Sequence, residues 1–259
     1  MADELVVLRK GRLSRFAGVP NKWLRLTDRS VLSVTATKLR VILLAQAQVA
    51  GKLGAWVTFT PRQVALIVSP GSEAVTEHRD YSVVRDALVE LGKVPIDHQY
   101  IDEVSGRVQD DLIFLFQRIR GNREEGWLKA RLSEPFRQFL ATKRRGWSWA
   151  RIYQEDVIQL QSTPQILLYE LLRSVTTFRY ASKRYVPVEQ LRLVLGLHAD
   201  YYDDWSRVRD YVLHALKQIN QILETDFRMT TKRRPGQREV IGVYFSDETT
   251  RKVGHEKNK

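Results

Sequence analysis

The residues of this sequence that could do chemistry are cationic and clustered. Lys232, Arg233, Arg234 and Arg238 crowd one short run around Pro235-Gly236, and Arg207, Arg209, His214, Lys217 and Gln221 recur just upstream. Like charges held close together are relieved by a polyanion, and neutralising phosphates releases their condensed counterions. The upstream set mixes charge with hydrogen-bonding groups, which suits base edges and phosphates. Covalent and metal chemistry lack their parts. There is no cysteine, so disulfides and thiolate zinc sites are excluded. The string GxxxxGK[ST], whose backbone amides cradle phosphate, does not occur. His78, His98, His198, His214 and His255 include no adjacent pair that could hold a metal beside a strand-cutting tyrosine. Tyr201 and Tyr202, near His198, read more simply as aromatics packing where a helix begins. Asp203-Asp204 reads as acid favoured by a helix dipole. No catalytic residue, cofactor or metal is expected.

The element that must position the upstream set is a helix over Ser206–Glu224. Val208, Tyr211, Val212, Ala215, Leu216, Ile219, Ile222 and Leu223 define its apolar face. Arg207, Asp210, His214, Lys217, Gln218 and Gln221 fall on the opposite side, and Arg209 sits toward its flank. Arg207 and Arg209 lie at the helix start, where arginine could pair bidentately with guanine. Lys217 and Gln221 lie further along and reach phosphates if only the start enters a groove. His214 is either a base contact or a solvated side chain. Next, Phe227–Thr231 and Val240–Phe245 read as strands joined by the basic turn, with Pro-Gly supplying the reversal. A helix followed by a basic wing implies nucleic acid.

The whole chain agrees with that partner. Its 259 residues carry a formal charge of +12 and are 43% hydrophobic, enough for one large core or two modest ones. No run of about 18 apolar residues offers a membrane span, and the first residues lack a signal-peptide pattern, so a cytoplasmic location is expected.

In chain order, residues 1–22 read as a basic arm with Gly18 and Pro20 as breakers. Residues 23–141 read as a first domain. Its helix Ala36–Ala50 repeats Leu39, Ile42, Leu43 and Ala47 at helical spacing. Trp56–Thr60 alternates, Thr60-Pro61 opens a short helix to Val68, and Val75–Leu91 forms a third helix. Val94–Ile101 and Asp111–Arg120 then read as strands around a loop, with another strand over Gly126–Leu132 and a short helix from Ser133 through Phe139. Arg79 and Arg85 on the third helix and Arg107 in the loop are further phosphate candidates. Nearby Glu73, Glu77 and Asp86 argue for poorer affinity there. Leu112, Ile113, Phe114, Leu115 and Phe116 form a low-charge, β-prone run, either a buried strand or a dimer interface. A basic linker spans 142–150, and a second domain, 151–246, repeats the order. Thr163-Pro164 opens its first helix, which runs to Val175, and Pro187–Val194 echoes Pro61–Val68. The charged tail 247–259 is expected to be disordered. The fold class is α+β and helix-rich, two tandem winged-helix domains, with weak internal duplication.

Three stretches carry a resemblance: Leu167-Leu-Tyr-Glu-Leu-Leu172, Val188-Glu-Gln-Leu-Arg-Leu-Val-Leu-Gly-Leu197 with Tyr202 after it, and Val208–Asn220. They resemble the replication initiators of iteron-containing bacterial plasmids, strongly after Ser162 and elsewhere by the order of elements. The resemblance implies two winged helices with the third stretch as recognition helix. It implies a non-enzymatic, cytoplasmic bacterial protein, in monomer–dimer equilibrium, that binds double-stranded DNA at origin direct repeats as a monomer, opens an adjacent AT-rich segment and meets host helicase or helicase loader. It further implies dimerisation through the first domain and repression of its own gene at an inverted repeat. Asp210, Gln218 and Gln221 depart from the family's usual cationic helix face. Two other readings stay open: a winged-helix transcriptional regulator and a DNA-nicking rolling-circle initiator.

Overall fold

The helix expected from one apolar stripe near residue 40 is buried on every side from Ala36 to Ala45. In the computed structural model, which describes residues 16–20, 32–49, 56–68, 77–94, 96–101, 108–141, 149–176, 185–197 and 204–249, α1 (Val34–Val49) hides Leu39, Ile42 and Leu43 as the periodicity requires. It also hides Thr37, Lys38, Arg40, Val41 and Leu44. The cause is that α1 serves both halves of the chain. It packs on α2 (Pro61–Val68) and α3 (Glu77–Lys93) from the first half and on α5 (Gln154–Gln159) and α6 (Thr163–Thr176) from the second.

Two buried cations on α1 find partners across this junction. Arg40 is ion-paired with Glu170 of α6, and Lys38 Nζ donates to the Ile158 carbonyl at the end of α5, 2.8 Å away. Burial lowers the Lys38 ammonium from about 10.5 to about 8. A lowered folded value means that between these limits the unfolded chain holds a proton the folded chain has released, so stability rises with pH there. We expect unfolding free energy to climb from about pH 8 to 10.5. Chemical denaturation of Lys38→Met against the parent chain should show that rise diminished.

The resemblance motif on α6 is explained by the same junction. Every residue from Ile166 to Leu172 is buried, so its two polar side chains need partners. Glu170 meets Arg40, and the Tyr169 hydroxyl donates to Asp156 of α5. Burial raises both the Asp156 carboxyl and the Tyr169 phenol.

Each half then builds a three-stranded antiparallel sheet with one topology. In the first, β6 (Trp127–Leu132) lies between β2 (Trp56–Phe59) and β5 (Phe116–Asn122); in the second, β10 (Val240–Asp247) lies between β8 (Tyr185–Pro187) and β9 (Phe227–Arg233). Two helices separate the first strand of each sheet from its hairpin: α2 and α3, then α7 (Val188–Leu195) and α8 (Trp205–Leu223). This is the winged helix twice, as expected. The Thr60 opening of α2 is a reciprocal cap, Thr60 N donating to Gln63 Oε1 at 2.9 Å and Gln63 N to Thr60 Oγ1 at 3.4 Å.

Several boundaries differ. The segment Asp111–Arg120, expected as one strand, is two. Among the described residues β4 (Val108–Ile113) pairs only with β3 (Ile96–Ile101), while β5 joins β6, so the first wing is the β5–β6 hairpin. The break falls at Phe114-Leu115 because their carbonyls accept from the Ser133 hydroxyl and amide, not from a ladder partner. Ser133 also caps α4 (Glu134–Ala141). Within the run that could form an interface, Ile113 and Leu115 are core and Phe116 packs against it, whereas Phe114 is 46% exposed. The Leu112 side chain lies outside the described residues. Phe16–Pro20, expected as part of an arm, is β1, paired antiparallel with β7 (Trp149–Tyr153), whose first residues fall in the expected linker. Gly18 and Pro20 are tolerated because the two-stranded sheet is all edge. The tail's first residues are held: β10 runs to Asp247, Glu248 N donates to the Asp226 carbonyl at 3.0 Å, and Asp226 N to Thr249 Oγ1 at 2.8 Å.

Candidate nucleic-acid interface

The α8 helix begins on Asp204, whose carboxylate accepts the Ser206 amide at 3.1 Å. The bond from the Ser206 hydroxyl and this amide bond hold Asp204 below the usual carboxylate range, with Arg207 and Arg192 adding to the effect. The acid at this position is therefore a cap. Val208, Val212, Ala215, Leu216 and Ile219 enter the core, leaving Arg207, His214, Lys217 and Gln221 exposed along one side and Arg209 exposed on the flank. Two residues of the expected polar face behave differently. Asp210 takes both Nε and Nη2 of Arg209, at 3.0 and 2.9 Å, so Arg209 carries its own counter-charge. Gln218 turns inward, its Oε1 accepting from Gln165 Nε2 of α6 at 2.7 Å. Sequence alone could not separate it from Gln221, since both fall on the same arc.

The wing is joined to this helix by one side chain to which sequence reasoning gives no role. Asn220 Nδ2 donates to the Phe227 carbonyl and its Oδ1 accepts the Phe227 amide, both at 2.9 Å, so the last turn of α8 grips the first residue of β9. Its Oδ1 also accepts the Thr225 hydroxyl, while Glu224 closes the helix in the left-handed conformation at φ 52°. The available signal is an asparagine within a turn of the helix end, ahead of the polar pair Thr225-Asp226. Asn220→Ala strands two backbone groups of Phe227, and we expect a loss of about 1–3 kcal/mol. Hydrogen exchange would detect it as faster exchange of the Phe227 amide and its β9 neighbours.

Lys232 and Arg233 belong to β9 and not to the turn, which spans Arg234–Glu239. Arg234 N donates to the Glu239 carbonyl at 2.9 Å, and Gly236 supplies the positive φ of 72°. Lys232 Nζ lies 4.8 Å from the Tyr185 ring and 5.9 Å from the Tyr244 ring, which are themselves 5.3 Å apart. Such a cation over two aromatic faces braces the wing root. Tyr185 also donates its hydroxyl to the Ile241 carbonyl at 2.9 Å and lies so close over Gly242 that any Cβ there would collide with its ring. Arg234 pairs with Glu239 at 3.0 Å; Arg233 and Arg238 are exposed beside it. Arg228, which no sequence signal singled out, is exposed and held by Asp226 at 3.1 Å.

The first-half candidates are less concentrated. Arg85 is exposed on α3, 3.7 Å from Asp86. Arg79 lies on the same helix with its side chain outside the described residues, and Arg107 lies wholly outside them. Among the described residues the structure brings together the second-half set: one exposed helix face and one basic hairpin, pinned to each other through Asn220.

Known proteins are similar to this chain in sequence or fold. The family model for initiator replication protein, WH1, matches residues 25–173. The solved structure of Pi initiator protein in complex with iteron DNA superposes with a TM-score of 0.67 at 16% identity, covering 91% of this chain and 97% of that one. The WH1 domain of MSBI1.176, a replication protein isolated from a multiple sclerosis patient, gives a TM-score of 0.33 at 16% identity over 46% of this chain and 94% of that one. No curated protein matches. With more than half its length matched by the family model, and the winged-helix topology present in both halves, the chain belongs to the initiator replication proteins.

Proposed function

We propose that this protein starts plasmid replication by binding repeated origin sequences, the iterons, as double-stranded DNA. The observation that carries the reading is the pairing of an exposed, capped α8 face with a basic wing on a fold shared with an initiator crystallised on iteron DNA. In this reading α8 lies in the major groove with Arg207 and Arg209 at base edges, His214, Lys217 and Gln221 further along, and Arg233, Arg234 and Arg238 on flanking phosphates. Lys232 serves chiefly as the brace of that wing. The module of residues 151–246 supplies most of the sequence preference. That of 23–141 adds phosphate contacts through Arg79, Arg85 and Arg107 and joins two copies through a surface that includes Phe114. Binding opens an adjacent AT-rich tract and brings in host helicase or its loader, with no catalytic step of the protein's own, in the bacterial cytoplasm. As a dimer it represses its own gene.

Footprinting the purified protein on DNA flanking its gene, at two salt concentrations, tests this. Regularly spaced protection over direct repeats, with single-strand reactivity in a neighbouring AT-rich tract, is the expected result. Protection of one promoter palindrome alone would make it a transcriptional regulator, and strand cleavage with a tyrosine adduct would make it a nicking enzyme. Arg207→Ala should cost roughly 1–3 kcal/mol on the preferred repeat and less on a repeat altered at the contacted base, because direct readout is what it removes. Competition binding with both sequences gives the difference.

A further inference from the structure

A chain of hydrogen bonds runs between the two helices that occupy the recognition position of their winged helices. It starts on α3, where Glu90 receives both the amide and the hydroxyl of Ser33, each at 2.6 Å. Ser33 caps α1, its Oγ accepting the Ala36 amide at 3.2 Å. The carbonyl of the preceding residue, Leu32, accepts the Thr163 hydroxyl at the start of α6, at 3.2 Å. Two residues on, Gln165 is buried, its Oε1 accepting the Gln161 and Ser162 amides at 2.7 and 3.2 Å. The Nε2 of the same amide donates to Gln218 on α8. The Ser33–Glu90 end of the chain is exposed, whereas Gln165 at its centre is buried. The chain crosses the junction that α1 and α6 also close with the Arg40–Glu170 pair.

We propose that this relay, from Glu90 through Ser33, Leu32, Thr163 and Gln165 to Gln218, sets the distance and angle between α3 and α8 and so selects the spacing at which two half-sites are read together. Glu90, Thr163 and Gln165 are positioning residues in this scheme; they touch no DNA. The idea rests on the reading that both modules contact one DNA site. Close packing constrains such an angle by shape, and directional bonds add to that constraint. Directional bonds that leave a buried amide unpaired when broken do not slide. One base pair moves a half-site about 3.4 Å along the duplex and turns it about a tenth of a revolution. A rigid pair of helices must register that change.

The test uses Thr163→Val, which removes one hydroxyl, and Gln165→Met, which removes the amide while keeping its length. Thr60→Ala, which loses a helix cap outside the relay, is the comparison. Each full-length protein is titrated against duplexes in which the two protected segments of the footprint are moved apart or together by one and two base pairs. The parent and Thr60→Ala should prefer the natural spacing by about tenfold per base pair, while the relay variants fall to about threefold or less. A second readout needs no DNA. The chain has no cysteine, so nitroxides placed through D86C on α3 and L213C on α8 report the distance between the helices. The distribution should be narrow in the parent and broad in Thr163→Val and Gln165→Met. Unchanged distributions, or weakening by the same factor at every spacing, would overturn the proposal. If the parent bound no spaced site at all, the two-module reading would fall, and the nitroxide distances would still decide whether the relay holds the helices.

Discussion

Glu170→Ala is expected to lower the unfolding free energy by about 3–5 kcal/mol, the usual penalty for removing one partner of a buried ion pair. Arg40 and Glu170 are 4% and 1% exposed. The guanidinium left behind would sit in a site water scarcely reaches, on a stretch of helix buried on all sides. Since folded domains hold only about 5–15 kcal/mol in reserve, the loss should appear as a lower denaturation midpoint and poor soluble yield. The partner experiment separates the pair's net worth from the penalty of breaking it. Arg40→Met combined with Glu170→Leu removes both charges and should recover most of the loss, making the two substitutions strongly non-additive. Urea unfolding of the parent, the two single variants and the double variant gives the coupling. A loss below about 1 kcal/mol for Glu170→Ala would mean that the junction opens to solvent.

The second large effect is on binding. Arg233→Ala with Arg234→Ala should weaken every DNA duplex, specific or not, by roughly ten- to a hundredfold at moderate salt. The slope of log affinity against log salt should shrink by about 0.9 for each phosphate no longer neutralised. Arg234 is the more informative of the two. It pairs with Glu239 in the free protein, so its removal also uncovers a carboxylate at the wing tip, and its single variant should lose at least as much as Arg233→Ala. A salt slope unchanged in the double variant would take the wing off the phosphates. Selective loss on the preferred repeat alone would make these arginines base readers.

The α8 helix and its wing are legible in the sequence because each rests on local rules: 3.6-residue periodicity, an acid before a helix, and a Pro-Gly reversal between alternating strands. The cap at Thr60 is legible for the same reason. What escapes depends on partners distant in the chain. Periodicity marks the apolar side of α1, but Lys38 and Arg40 look like solvated charges until Ile158 and Glu170, over a hundred residues later, arrive beside them. The first wing is easily misread because 94–120 and 116–132 both alternate, and only the pairing of β6 with β2 decides which hairpin completes the winged helix. β1 is invisible as a strand, since Gly18 and Pro20 are breakers by composition and its partner lies at Trp149–Tyr153. On α8 and its wing, periodicity and the Pro-Gly turn locate the exposed cations. Their individual engagements are another matter: Arg209 with Asp210, Lys232 with two tyrosines, and Arg234 with Glu239 all need coordinates.

The sharing of α1 bears on how such proteins can change over generations. Two winged helices in tandem suggest units that recombination could trade freely, one initiator's reader grafted onto another's. Arg40 and Glu170 come from opposite halves, as do Lys38 and the carbonyl it caps. A crossover between the halves would bring together a buried cation and a stranger's helix, and the hybrid would begin life several kilocalories short. If α8 reads the DNA as proposed, new binding preferences are most accessible through single changes on its outward side, where His214, Lys217 and Gln221 stand clear of the core, because those changes leave the shared junction intact.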